Sequence, residues 1–363
     1  MKKSLIGSGL AAALLLAGCA TPPPANTAAP SAPAGGASTA AAPASDFTAC
    51  MVSDAGGFDD KSFNQTSHKG LTDAVAQLGV KQNEAQSKTT SDFATNIDQM
   101  VSAGCNIVVT VGFMLGDATE AAAKANPDVD FAIVDYAYDA PAENLKGLVF
   151  NTGEPAFMAG YVAASLSQTG KVATFGGAKI PSVTAFMEGY AQGVKYHIEK
   201  KGTNVEVLGW NSESQDGQFI PGASPFEDLA GGKRVADTLV AQGADVILPV
   251  AGPAGEGGLQ AAQASGGKVV GMWVDTDGYV SMPSYSSIIA TSVGKAMDVA
   301  VFEAIKASKE GTFNNEVYVG TLENEGAYLA PFHDFDSKVS AETKAELEQI
   351  KADIISGAIK IEA

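Results

Sequence analysis

Short apolar runs, rich in β-branched residues, recur along the chain at 49–53, 106–111, 131–135, 147–151, 171–175, 205–209, 245–250 and 269–274. Between them lie stretches whose apolar positions return every three or four residues, at 62–78, 91–103, 117–125, 154–167, 182–200, 227–242 and 255–265. The short runs predict strands and the longer period predicts helices. Strand alternating with helix is the pattern of a parallel sheet covered on both faces. The rhythm runs twice, joined near residue 152, which predicts an α/β protein of two doubly wound parallel-sheet lobes with a cleft between them.

In such sheets a ligand lies beyond the carboxyl ends of the strands. Asp54, Gly112-Phe113, Asp135-Tyr136, Gly252-Pro253 and Trp273-Val274-Asp275-Thr276-Asp277 each follow a predicted strand, so all are expected on one edge. After the first strand comes SDAGGFDDKSFNQ, residues 53–65. Gly56 and Gly57 permit a tight turn, and Asp60 or Ser62 can cap the next helix. Phe63 then either stands beside the cleft as a platform for a flat ligand or packs inward. Asp135 and Asp275 either face the ligand or cap helices, and Lys295 by itself reads as a solvated helix charge.

The first residues read as an address. Lys2 and Lys3, a short apolar run from Leu5 to Ala17, and Leu16-Ala17-Gly18-Cys19 predict a signal peptide over 1–18. The run is shorter than the roughly 20 residues a bilayer span requires. Leu-Ala-Gly-Cys resembles the lipobox of bacterial lipoproteins, which implies a lipidated Cys19 holding the protein on the outer side of a membrane. Residues 19–47, dominated by Ala, Pro, Ser, Thr and Gly, are expected to form a flexible tether, with structure beginning near Phe47. Removing 1–18 takes away two lysines and no acid, so the formal charge moves from −18 to −20. Such a charge argues against nucleic acid and against an anionic membrane surface as partners. Cys50 and Cys105 both precede apolar runs expected to be neighbouring strands, and are either a disulfide or two buried thiols.

Four segments carry a family resemblance: Asp60-Lys61-Ser62-Phe63-Asn64-Gln65, Ala132-Ile133-Val134-Asp135, Glu154-Pro155-Ala156-Phe157-Met158-Ala159-Gly160-Tyr161 and Trp273-Val274-Asp275-Thr276-Asp277. With Leu329-Ala330-Pro331-Phe332-His333, the chain from about Cys50 onward resembles the basic membrane protein family of substrate-binding lipoproteins, of the purine nucleoside receptor type. The resemblance implies a monomeric extracytoplasmic receptor, type I periplasmic binding protein-like, that binds a nucleoside and delivers it to the permease and ATPase subunits of an ABC importer. It would face outward from the plasma membrane, or into the periplasm of a two-membrane organism. By the same resemblance Phe63 stacks on the base, Asn64 and Asp135 read its edge, Asp275 and Lys295 hold the ribose, and Gly252 admits the ligand close to the backbone. The second stacking aromatic is carried to Phe226, with Trp210 and Phe219 as substitutes, because 211–225 is longer here than the family's usual turn. The implied closure runs about three crossings near 152, 276 and 317, dividing the chain into 48–151 plus 276–316 and 152–275 plus 317–363.

Other chemistries have weaker support. Gly252-Pro253-Ala254-Gly255-Glu256-Gly257-Gly258 superficially fits a dinucleotide loop but has Gln260 where a third glycine belongs. No Walker phosphate loop and no Gly-x-Ser-x-Gly elbow occurs. His68, His197 and His333 are isolated, so no cofactor and no metal site are expected. A hydrolase using Asp54, Asp135, Asp275 and Asp277 around a divalent cation, and a receptor for a sugar, are the competing functions.

Overall fold

A computed structural model describes residues 46–362. The signal segment, Cys19 and most of the tether fall outside those residues. The first sheet begins with β1 (Thr48–Ser53), α1 (Phe63–Leu78), β2 (Lys81–Gln86), α2 (Phe93–Ser102), β3 (Ile107–Val111), α3 (Gly116–Ala125), β4 (Asp130–Val134) and β5 (Leu145–Phe150). The chain then crosses to build a second lobe from α4 (Gly153–Leu166), β6 (Lys171–Gly176), α5 (Pro181–Lys201), β7 (Glu206–Leu208), β8 (Trp210–Asn211), β9 (Asp216–Gly217), α6 (Leu229–Ala241), β10 (Val246–Val250), α7 (Glu256–Ala264), β11 (Val270–Asp275), α8 (Gly278–Ser281) and β12 (Ile289–Lys295). It returns to the first lobe for α9 (Met297–Glu310) and β13 (Tyr318–Gly320), and ends in the second with β14 (Ala327–Leu329) and α10 (Ala341–Ile355).

The two sheets share one plan, β13-β5-β4-β3-β1-β2 and β14-β12-β11-β10-β6-β7. Strands run parallel except β14, which pairs antiparallel with β12. The central strands are apolar because helices cover both faces: Ala49 to Val52, Ile107 to Val109 and Val246 to Leu248 are buried. β2 is different. Its sequence, KQNEAQ, is almost wholly exposed, and it is a strand only because it extends the edge beside β1. No apolar periodicity could announce it, and its charges suit an unpaired edge.

The lobe boundaries differ from those expected at two of the three crossings. Residues 276–295 stay in the second lobe, because β12 lies between β11 and β14. The second crossing is therefore at Ala296. β13 pairs with β5, so the third falls after Gly320. The crossings are stitched together: Asn151 N donates to Gly320 O (2.8 Å) and Ala296 N to Gly326 O (2.9 Å). Among the described residues no helix is long and apolar enough to cross a membrane.

Cys50 and Cys105 form a disulfide, with Cα atoms 5.9 Å apart and a sequence separation of 55. Cys50 lies in β1 and Cys105 precedes β3, its neighbour in the sheet. Closing a loop of that length limits the unfolded chain, so reduction is expected to cost about 2–4 kcal/mol. The check is thermal unfolding with and without dithiothreitol, against a Cys50→Ser/Cys105→Ser double variant that should respond to neither condition.

Candidate functional site

The carboxyl ends of the central strands from both lobes converge on one cavity. Asp54, Phe63, Asn64, Asp135, Phe226, Gly252, Asp275 and Lys295 all line it. Its walls are otherwise mainly apolar, with Phe113 and Met114 from the first lobe and Val183 and Phe186 from the second.

The start of α1 sets one side. Ser62 occupies the cap position, yet its hydroxyl donates elsewhere. Asp60 does the capping: its carboxylate accepts from the backbone N–H groups of Ser62 (2.9 Å), Asn64 (2.8 Å) and Gln65 (2.9 Å). An anion at that end satisfies orphan donors and complements the helix dipole. Burial pushes the Asp60 carboxyl up, and the three N–H bonds oppose it. Ser62 Oγ is thereby released to donate to Asp275 Oδ2 in the other lobe, at 2.8 Å.

Asn64 follows on the same turn. Its Nδ2 donates to Asp54 Oδ1 at 2.8 Å and to Asp60 Oδ2 at 3.1 Å. Burial pushes Asp54 up to about 6, against the bonds it accepts from Asn64 and from Gly56 N. The glycines around this cluster are there for space. A Cβ on Gly56 would lie 2.8 Å from Asn64 Nδ2. Gly112, at φ +121°, would place one 2.6 Å from Asp54 Oδ2.

Asp135 directly follows β4 and Asp275 ends β11, equivalent strands of the two sheets. Both take left-handed backbone, φ 65° and 70°, a region aspartate tolerates better than most residues. Lys295 ends β12, with only 3% of its side chain exposed. Its Nζ lies 2.6 Å from Asp135 Oδ2 and 3.3 Å from Asp275 Oδ1. The ammonium also faces the rings of Phe63 and Phe186, 4.9 and 5.3 Å from their centroids. Burial pulls Lys295 down, but the two carboxylates outweigh it and hold the ammonium charged. The Lys295–Asp135 and Ser62–Asp275 contacts both join one lobe to the other, so the polar floor of the cavity is also a clasp.

Phe63 lines the cavity while also packing on the first-lobe core. Phe226 is held by its backbone oxygen, which accepts from Ala254 N at 2.8 Å. Trp210 and Phe219 take other places. Trp210 is buried and donates to Glu188 Oε2 at 2.7 Å, and Phe219 packs over Gly176. The segment that lengthens this region folds as the β8–β9 hairpin. Gly252, at φ 50°, has open space where a side chain would begin.

Asp277 is not with the other carboxylates. It caps α8 through Tyr279 N and faces His333 Nε2 at 2.7 Å, which breaks up the four-aspartate set a hydrolase would use. Among the described residues no group of three or more His, Cys, Asp or Glu side chains is arranged to hold a metal ion. Sequence reasoning missed Phe186 and the clasp role of Ser62. Phe186 falls within an ordinary amphipathic helix, and a serine at a helix start signals a cap first.

A family model described as "ABC transporter substrate-binding protein PnrA-like" (Bmp) matches residues 47–363. The chain is 30% identical to the ABC transporter nucleoside-binding protein BmpA of Lactococcus lactis subsp. cremoris, over 99% of each chain. It is 28% identical to Basic membrane protein A of Borreliella burgdorferi, over 83% of this chain and 84% of that one. Among solved structures, an ABC transporter solute-binding protein from Aeropyrum pernix K1 superposes with a TM-score of 0.77 at 26% identity, covering 86% of this chain and 92% of the other. The chain belongs to the Bmp family of PnrA-like ABC transporter substrate-binding proteins.

Proposed function

We propose that the protein is a lipid-anchored nucleoside receptor, purine in preference, that closes on its ligand and passes it to an ABC permease. Substrate-binding proteins of ABC importers work outside the cytoplasm with permease and ATPase partners. Anchoring through Cys19 and the nucleoside cargo are the finer parts of the reading.

The observation that carries it is the composition of this cavity: aromatic walls from both lobes, the Asn64 amide beside Asp54, and Lys295 between Asp135 and Asp275. Phe63 and Phe226 suit the faces of a base, each stack contributing about 1–3 kcal/mol. Asn64 and Asp54 suit its polar edge, while Asp275 and Lys295 suit vicinal hydroxyls, accepting and donating charge-assisted bonds, with Asp135 held against the same ammonium at 2.6 Å. The name of the Lactococcus relative agrees with this assignment.

The test is calorimetric titration of protein unfolded and refolded to strip carried-over ligand, against guanosine, adenosine, cytidine, ribose and guanine, with and without EDTA. Tight, EDTA-insensitive binding of intact nucleosides, with ribose and free base both weak, is expected. Binding of ribose alone would make the protein a sugar receptor. Cation-dependent release of base would make it an enzyme.

A pH dependence follows from Asp54. Its folded value of about 6 lies above the ordinary 3.8, so the ligand-free fold binds this proton more tightly than the unfolded chain does. Its contribution to stability therefore falls as pH rises from about 3.8 to 6 and is flat above. A ligand that donates to the carboxylate needs the ionised form. Affinity should rise about tenfold from pH 5 to pH 7 and then level. Asp60 and Glu227 also act on this group; Asp54→Asn should flatten the profile, and an unchanged profile would remove Asp54 from the ligand's partners.

A further inference from the structure

An amide side chain has a donor end and an acceptor end of nearly the same shape, and its neighbours decide which way it points. The neighbours of Asn64 are both carboxylates, Asp54 Oδ1 at 2.8 Å and Asp60 Oδ2 at 3.1 Å. Ionised carboxylates only accept. Asp60 also collects three backbone N–H groups, which fixes its position on α1. Rotating the amide would set Oδ1 against both carboxylate oxygens, so Nδ2 must face them.

The acceptor end is left over. Asn64 is 2% exposed and lines the cavity, and its Oδ1 is buried with no hydrogen-bond partner. A buried carbonyl oxygen without a donor is costly, and a partner on the ligand removes that cost. Nearby, Asp54 adds a second acceptor and no donor.

We propose that Asp60 is a positioning residue for ligand selectivity: with Asp54 it locks the Asn64 amide so that only Oδ1 meets the ligand, and this end of the cleft selects ligands carrying an N–H donor. The inference rests on the nucleoside reading above and narrows it. A base that offers an N–H at its edge satisfies Asn64, whereas one with ring nitrogens alone sets lone pair against lone pair.

The test is calorimetry at pH 8 with inosine, which has a ring N–H, and purine riboside, whose base has none. Wild-type protein is expected to prefer inosine by at least about tenfold, the usual penalty for a buried polar group left unpaired. Asn64→Ala should bring the ratio near one. Asp60→Asn, which supplies an amide able to donate toward residue 64, should lower the ratio by freeing Asn64 to turn. A residue acting only as a helix cap would weaken both ligands alike and leave the ratio unmoved. Asp60→Ser, which keeps a helix cap but withdraws the carboxylate from Asn64, is the second variant if Asp60→Asn fails to fold, and the same fall in ratio is expected. Equal wild-type binding of the two nucleosides overturns the inference and leaves the nucleoside reading intact. Binding of neither these nor any other nucleoside overturns both. An unchanged ratio in a folded Asp60→Asn protein removes Asp60 from the assignment.

Discussion

Replacement of Lys295 by methionine is expected to weaken ligand binding by about a thousandfold while moving the unfolding temperature little. Methionine keeps the length and loses the charge. In the closed protein Lys295 is the cation beside both Asp135 and Asp275, and all three side chains are more than nine-tenths buried. Removing one member of such a group leaves uncompensated buried charge, a penalty of about 3–5 kcal/mol. The penalty belongs to closure more than to folding. Asp135 stands on the first lobe and Lys295 on the second, so separating the lobes returns Asp135 to water. Small-angle scattering should show wild-type protein contracting on addition of ligand and the variant remaining extended. Near-normal affinity in the variant would make the ammonium a bystander.

Asp275→Ala is expected to reduce nucleoside affinity by about a hundredfold and to leave free-base affinity within a fewfold. Asp275 accepts from Ser62 Oγ in the other lobe and pairs with Lys295. In the proposed complex it also accepts from ribose hydroxyls, bonds of about 1.5–3 kcal/mol each when one partner is charged. Alanine at φ 70° adds backbone strain of about 1 kcal/mol. Asp275→Asn separates the two effects, since asparagine accepts the left-handed conformation. If calorimetry gives equal losses for nucleoside and free base, Asp275 does not hold the sugar.

Both predictions draw on residues visible in the sequence, but the reasons they work were only partly legible there. The central strands could be read because burial on both faces demands continuous apolar runs, as in Ile107 to Val111. β12 carries ATSVGK after its first residue and is no less buried. Its hydroxyls are satisfied by backbone, Thr291 donating to Ala330 O and Ser292 accepting from Gly278 N, and nothing in the local pattern reveals that long-range pairing. Missing this strand displaced the second crossing and made Lys295 resemble a helix charge. The Asp-Lys-Ser-Phe-Asn segment was legible as a strand-to-helix turn near the cleft. What it could not disclose is the exchange of duties in which Asp60 caps the helix and Ser62 reaches the opposite lobe, because that depends on a residue more than two hundred positions away.

The matching positions of Asp135 and Asp275 have a further consequence. Each sheet contributes an acid at the same strand end, but the lysine comes from one sheet only. Two jaws of common plan therefore close with unlike teeth. A molecule entering end over end would find the aromatic walls still welcoming but its hydroxyls and its ring edge exchanged. The cleft consequently has a head and a tail, and should take its cargo in one orientation only.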